Sequence, residues 1–125
     1  MKKVINTSNA PAPIGPYNQA IEAGNTLYIS GQIPMNSDTK ELIMDTRENE
    51  THQVMVNLKA ILDEAGYDFS NIVKCSIFLA DMGDFPVVNE VYGSYFTDNY
   101  PARETVQVGK LPLGVNVEIS AIAVK

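Results

Sequence analysis

The segment from residue 45 to residue 66 has the apolar spacing of a one-sided α-helix. Its apolar residues recur every three or four positions, which places them on one helical face. They are Val54, Leu58, Ile61, Leu62 and Ala65. Asp45 is the expected N-cap, Glu48 is placed to complete a capping box, and Gly66 ends the helix. A helix with one apolar face must cover another apolar layer, so the chain is restricted to layered folds.

The apolar runs outside this helix alternate with a period of two, which is typical of β-strands. The predicted strands span 3–5, 17–23, 26–33, 71–80, a segment that begins at Arg103, and 115–124. Only Gly24 and Asn25 separate the second and third strands, and both residue types tolerate the positive φ of a tight turn. A second helix is expected to start near Pro86. Its apolar face carries Val88, Val91, Tyr92, Tyr95 and Phe96.

This order of elements predicts an α+β fold, with a single mixed β-sheet and two helices packed on one of its faces. The length suits a single domain spanning residues 1–125. No predicted element covers the other face of the sheet. The residues expected on this open face are Tyr28, Ser30, Glu118, Ser120 and Ile122. Because the mixture includes apolar side chains, we expect identical subunits to cover it in a homo-oligomer.

The charge balance excludes several classes of partner. The formal net charge of -6 argues against nucleic acid, because binding to phosphates requires a basic surface. No apolar stretch approaches membrane-spanning length. The two N-terminal lysines are not followed by the apolar segment that a signal peptide requires. The single cysteine, Cys75, cannot form an internal disulfide and is interpreted as a small core residue. We therefore predict a cytoplasmic protein that binds neither membranes nor nucleic acid.

Several kinds of catalytic site are also excluded by the motifs. The sequence has no Walker loop, dinucleotide-binding glycine motif, CxxC or HExxH. With one histidine and one cysteine, a hydrolase triad or a zinc cluster is not expected. His52 has no potential ligand at metal-binding spacing and is interpreted as a solvated helix residue. We predict no metal and no cofactor.

The stretch PARETVQVGKLPLG, residues 101–114, contains the first candidate for binding. Strand alternation places Arg103, Thr105 and Gln107 on one face, and we expect that face to be polar. An arginine fixed on a strand presents paired donors that match the two oxygens of a carboxylate. The alternative interpretation of Arg103 is a solvated or ion-paired surface arginine.

The other candidates are polar residues near strand ends. Glu118 is the acidic residue on the polar face of the last strand, and the alternative is an exposed strand carboxylate. Tyr17 and Ser30 provide hydroxyl groups close to that face. Gly31 permits either a close approach by a ligand or a β-bulge.

Five motifs, in chain order, are familiar: IGPYNQA, SGQIP, NLKAILDEAG, DMGDFPVVNEVY and PARETVQVGKLP. Together they resemble the reactive intermediate deaminase family, also called RidA or YjgF, along essentially the whole chain. The resemblance implies a chorismate-mutase-like fold and a homotrimer with sites between neighbouring subunits. It also implies hydrolysis of 2-imino acids, such as 2-iminobutanoate and 2-iminopropanoate, to 2-oxo acids and ammonia.

The resemblance assigns roles to individual residues. Arg103 would bind the substrate carboxylate, and Glu118 would orient the attacking water. The remaining residues expected around the substrate are Tyr17, Ser30, Gly31, Asn89 and Thr105. Many relatives have cysteine where this chain has Thr105. The difference argues against a catalytic step that needs a thiol, and it suggests that position 105 acts mainly through its backbone. Asn18 replaces a serine beside Tyr17, where substrate size preference could be altered.

A different class of function stays open at this point. A non-enzymatic trimer that binds small carboxylates or a protein partner for regulation would use Arg103 in the same way. Release of ammonia from an imino acid distinguishes the two classes. A ribonuclease or translation inhibitor finds no support in the acidic composition.

Overall fold

A six-stranded sheet forms one layer of the molecule and two helices form the other. The computed structural model describes all residues from Met1 to Lys125. The strands are β1 (Lys2–Ile5), β2 (Ala20–Ala23), β3 (Thr26–Gln32), β4 (Ile72–Leu79), β5 (Ala102–Gln107) and β6 (Val117–Val124). The helices are α1 (Arg47–Ala65) and α2 (Phe85–Gly93). The predicted α+β class and the number of elements are confirmed, although β2 begins three residues later than expected.

The sheet is mixed, as predicted, with strand order β1-β2-β3-β6-β4-β5. Only the β4–β5 pair is parallel; every other neighbouring pair is antiparallel. The chain crosses through α1 from β3 to β4 and through α2 from β4 to β5. These crossovers leave β6, the last strand, in the interior of the sheet, and β5 at one edge.

Helix α1 ends as predicted but begins differently. Gly66 adopts φ 80°, and its N–H donates to carbonyls of the last turn. The N-cap is Thr46, not Asp45, because the extended backbone at Thr46 brings its hydroxyl to the N–H of Asn49 at 3.0 Å. Asp45 instead accepts a hydrogen bond from the side-chain amide of Asn49 at 3.0 Å. The predicted capping box with Glu48 is therefore wrong.

The hydrophobic core lies between the helices and one face of the sheet. Its completely buried members include Leu27, Leu58, Ile61, Leu62, Leu79, Val117 and Ile119. Burial of each such side chain contributes about 1.5 to 3 kcal/mol relative to full exposure. The inward face predicted for β6 is confirmed, because its residues alternate between buried and intermediate along the whole strand.

The opposite face of the sheet is uncovered, as predicted. Tyr28 pairs in register with Ile122 on this face, and the Tyr28 side chain is 50% exposed. Val106 is also exposed. Lys74 and Glu104 form an ion pair here, with Nζ and Oε1 3.0 Å apart. The surface therefore combines exposed apolar groups with charged groups that pair with one another.

A buried carboxylate connects the start of α1 to the start of β6. Glu50 is completely buried, and its two carboxylate oxygens accept hydrogen bonds from Asn116, at 2.6 Å from the backbone N and at 3.0 Å from Nδ2. Arg47 compensates the charge, with its Nε 3.1 Å from Oε1. Since Asn116 immediately precedes β6, Glu50 fixes the position at which that strand enters the sheet.

We predict that Glu50→Ala lowers the free energy of unfolding by about 2 to 4 kcal/mol, because it leaves the part-buried donors of Asn116 without an acceptor. Urea denaturation measures the change. Glu48→Ala is the matched control, since Glu48 is an exposed glutamate in the same turn. Equal losses in the two variants would contradict a special role for the buried carboxylate.

Candidate active site

Arg103 lies beside α2, where two aromatic rings and an amide surround its guanidinium. In the parallel β4–β5 ladder Arg103 is level with the buried Cys75, so its side chain leaves the sheet on the helical side. Its Cζ is 5.1 Å from the centroid of the Tyr92 ring and 5.6 Å from that of Phe85. Its Nη1 donates to Oδ1 of Asn89 at 2.7 Å. Arg103 and Asn89 are thus brought together, as the resemblance implied.

The face that carries Arg103 is expected to be polar, but it is the face that the helices cover. Alternation correctly groups Arg103 with Thr105, but the register with β4 places both on the same side as Cys75 and Ile77. The guanidinium is accommodated there because β5 is an edge strand, so its long side chain reaches the margin of the helical layer.

The guanidinium borders a cavity suited to a small anion. This cavity has a volume of 650 Å³, and Asn89, Tyr92, Tyr100 and Arg103 are among its lining residues. Asn89 occupies one N–H of the guanidinium, and the fork retains further donors for a carboxylate. The hydroxyl of Thr105, two residues along the strand, is buried without a hydrogen-bond partner.

Glu118 occupies a second cavity, on the open face of the sheet. Glu118 pairs in register with Phe78 on β4, and it alternates along β6 with the buried residues. Its side chain therefore lies on the face opposite the core. The cavity measures 480 Å³ and is lined by Ile14, Tyr17, Ser30, Gly31, Pro112 and Glu118 among others. The carboxylate is half-buried, and this burial raises the pKa of Glu118 above that of an ordinary glutamate. A carboxylate with a raised pKa is a stronger base than its exposed counterpart.

Gly31 provides the space in which the Glu118 side chain lies. A Cβ at this glycine would be 2.7 Å from Cδ of Glu118 and 3.0 Å from Cγ, both too close for van der Waals contact. The β3–β6 register also shifts between Ile29 and Gln32, so Gly31 belongs to a bulge. The bulge interpretation of this glycine is therefore confirmed, and the group that approaches it closely is the chain's own Glu118 side chain.

The two predicted hydroxyl residues lie beside the same cavity. Ser30 donates from Oγ to the backbone carbonyl of Asn18 at 2.6 Å, which fixes the hydroxyl against the entering loop. The Tyr17 hydroxyl accepts a hydrogen bond from the N–H of Ile14 at 3.3 Å, and the ring is 45% exposed. Because the bond to Ser30 uses only the backbone of Asn18, it does not depend on the side chain at that position.

Gln19 is a supporting residue that the sequence analysis missed. It is 2% exposed, and its Nε2 lies 2.9 to 3.2 Å from the carbonyls of Thr7, Ala10 and Pro11. Its Oε1 accepts from the N–H of Thr7 at 2.7 Å. These bonds hold the loop that leads to Ile14. A single glutamine among turn-forming residues gives no periodic signal from which such a role could be predicted.

The structure thus brings the predicted residues into two groups rather than one. Arg103, Asn89 and Thr105 belong to the helical side, and Tyr17, Ser30, Gly31 and Glu118 belong to the open side. The sheet separates the groups, since neighbouring register positions on β4 project to opposite faces.

Comparison with known proteins identifies the family. The sequence profile of the family described as Endoribonuclease L-PSP matches residues 7–125. The chain belongs to this family.

Its relatives carry several different names. A RutC family protein from Pyrococcus horikoshii is 51% identical, with the alignment covering 100% of this chain and 99% of the relative. The 2-iminobutanoate/2-iminopropanoate deaminase of Mus musculus is 48% identical, covering 100% of this chain and 93% of the relative. The crystal structure of RidA from the Antarctic bacterium Psychrobacter sp. superposes with a TM-score of 0.95 at 42% identity, covering 98% of this chain and 99% of that one. The fold and family implied by the resemblance are confirmed.

Two further side chains of this L-PSP family chain could in principle be reactive, the thiol of Cys75 and the imidazole of His52. Cys75 is completely buried, and burial raises the pKa of its thiol to about 11, which disfavours the thiolate. His52 is exposed, as predicted, and its Nδ1 lies 2.8 Å from the hydroxyl of Tyr95. No group of three or more His, Cys, Asp or Glu side chains is arranged to hold a metal ion. No helix is both long enough and apolar enough to span a membrane.

We predict that Gly31→Ala keeps the fold but displaces the Glu118 side chain, because the new Cβ takes the space of its Cδ. Once the carboxylate moves towards solvent, the pKa of Glu118 falls towards the ordinary value, since burial is what raises it. A carbon-13 NMR titration of the Glu118 carboxyl measures this shift. Gly109→Ala is the control, because nothing lies within 4 Å of a Cβ there. An unchanged Glu118 pKa in Gly31→Ala would contradict the steric argument.

Proposed function

We propose that this protein is a hydrolytic deaminase of small 2-imino acids, such as 2-iminobutanoate and 2-iminopropanoate, which it converts to 2-oxo acids and ammonia. The proposal is supported by a pair of reactive groups in the structure. It is also supported by the relatives, which include proteins named 2-iminobutanoate/2-iminopropanoate deaminase. One group is a guanidinium held by Asn89, and the other is a half-buried carboxylate with a raised pKa. These are the groups needed to bind a carboxylate and to activate water.

The reaction requires no nucleophile from the protein. Arg103 binds the substrate carboxylate through two parallel hydrogen bonds and fixes its plane. Glu118 accepts a proton from water as the water oxygen adds to the imine carbon, and it delivers that proton to the imine nitrogen to give an amino alcohol. Glu118 then transfers the hydroxyl proton to the amine nitrogen as the C–N bond breaks, which releases ammonia and leaves the 2-oxo acid. Positioning and charge stabilisation supply the acceleration.

The separation of Arg103 and Glu118 by the sheet supports a site made by two subunits. A substrate of three or four carbons is too short to contact both faces of one sheet. Each active site would therefore combine Arg103, Asn89 and Thr105 of one subunit with Tyr17, Ser30, Gly31 and Glu118 of another. A homotrimer that covers the open face would place these groups together, as the family resemblance implies.

We favour a small carboxylate over RNA as the substrate, although the family description contains the word endoribonuclease. Acidic residues outnumber basic residues by 15 to 9, and RNA cleavage needs a basic surface to bind phosphates. The single histidine is bonded to Tyr95, away from Arg103 and Glu118. We further propose a single-domain cytoplasmic enzyme, because one core serves the whole sheet and the only cysteine is a free thiol.

We predict that Glu118→Gln and Arg103→Lys each form folded oligomers with impaired catalysis. Loss of the carboxylate is expected to lower turnover roughly tenfold to a thousandfold. Loss of the planar fork is expected to cost about 2 to 4 kcal/mol, or roughly thirtyfold to a thousandfold in catalytic efficiency. The assay generates 2-iminobutanoate in situ and follows the release of ammonia. If the wild-type protein fails to accelerate this release, the enzymatic proposal is rejected in favour of carboxylate binding alone.

We also predict that the two inactive variants complement each other. When Arg103→Lys and Glu118→Gln are unfolded together and refolded as mixed oligomers, about a quarter of the sites receive an intact Arg103 and an intact Glu118 from different subunits. Activity should therefore recover to about a quarter of the wild-type value. Separately refolded variants mixed without exchange are the control. If co-refolding restores no activity while mass spectrometry detects mixed oligomers, the site does not lie between subunits.

A further inference from the structure

Three residues of α2 form a support for the Arg103 guanidinium. Phe85, Asn89 and Tyr92 are spaced four and three residues apart, so they lie along one face of the helix. Asn89 accepts a hydrogen bond from Arg103, and the two rings lie 5.6 Å and 5.1 Å from its Cζ. An arginine held in this way retains fewer orientations than a free surface side chain.

Tyr92 is the most firmly fixed part of this support. The residue is 4% exposed, and its ring packs against that of Phe96 with centroids 5.0 Å apart. Phe85, by comparison, is only partly buried, at the start of the helix. The guanidinium therefore lies against a ring that the core holds in place.

The Tyr92 hydroxyl does not explain this placement. It is buried and forms no hydrogen bond of ordinary geometry, although the thiol of Cys75 is close enough to interact with it. Burial, together with the neighbouring Cys75, raises the pKa of Tyr92, so the phenol stays neutral and provides no charge for Arg103. What remains for the arginine is the π-face of the ring, which attracts a cation through its quadrupole.

We propose that Tyr92 is a positioning residue, whose ring face orients Arg103 for the carboxylate of the ligand. This inference rests on the proposed function in one respect, which is that Arg103 binds a carboxylate. A guanidinium that is already oriented loses less conformational freedom when the ligand binds, and this raises affinity. A cation on an aromatic face contributes roughly a threefold to thirtyfold increase in such binding, depending on how dry the site is.

The test separates the ring face from the shape of the side chain. Tyr92→Phe keeps an electron-rich ring, and Tyr92→pentafluorophenylalanine keeps nearly the same shape with the quadrupole reversed. We expect affinity for 2-oxobutanoate, a stable carboxylate probe measured by calorimetry, to be retained within about threefold in Tyr92→Phe and to fall roughly threefold to thirtyfold in the fluorinated variant. Tyr95→Leu is the control, since Tyr95 contacts His52 and Phe69 and not Arg103.

A second measurement does not depend on the ligand. Nitrogen-15 NMR of Arg103 reports rotation about its Nε–Cζ bond, which should be slow in the wild type and in Tyr92→Phe and faster in the fluorinated variant. If the wild type fails to bind 2-oxobutanoate, the proposed function is in error and this rotation rate alone decides the role of Tyr92. The inference is overturned if Arg103 rotates at the same rate in the fluorinated variant as in Tyr92→Phe. Where the wild type binds 2-oxobutanoate, equal affinities of these two variants for the probe also overturn it.

Discussion

The alternation of side chains across the pleated sheet is the constraint on which the site depends. On β4, Cys75 and Phe78 are level with Arg103 and Glu118 respectively, and they project to opposite faces. No rotamer change moves either reactive group through the sheet, because β4, the strand between them, is hydrogen-bonded on both sides. The geometry therefore places the two candidate groups of a single chain in separate cavities. Each of them opens at a different surface, and catalysis by both groups on one substrate would require assembly.

The surroundings on each face of the sheet also determine the charge state and basicity of the group that lies there, Arg103 on one face and Glu118 on the other. On the helical side, aromatic rings and an amide surround Arg103 without a carboxylate partner, so no acidic side chain of the same chain neutralises its charge. On the open side, Glu118 lies against a glycine backbone, and burial alone raises its pKa. By contrast, Glu104 on the same face is bonded to Ser76 and Lys74, and these bonds lower the pKa of its carboxyl. Two glutamates on one surface thus differ in basicity because only one of them has partners.

The sequence predicted the parts of this structure that have a periodic signal. Three features have such a signal: the apolar stripe of α1, the tight turn at Gly24 and the alternating burial along β6. Their residue spacings are those of any helix or strand with one buried face. Alternation shows which residues share a face, but not which of the two faces the helices cover. For this reason the sequence does not reveal that the face carrying Arg103 lies on the helical side. Gln19 and Glu50 were not predicted at all. Gln19 bonds backbone groups 8 to 12 residues away, and Glu50 bonds a backbone N–H 66 residues away. Nothing in the local sequence pattern distinguishes either residue from a surface residue.

The lack of a side chain at Gly31 has a consequence for how the chain could diverge. Glu118 fills the volume that a Cβ on β3 would otherwise occupy, so positions 31 and 118 form one steric unit although they are far apart in sequence. A descendant that replaces the glutamate with a small residue would be free to acquire a side chain at position 31. The return path would then be hindered, because a restored glutamate would be displaced from its half-buried position until that side chain was removed. Loss of this carboxylate would therefore tend to become irreversible over evolutionary time.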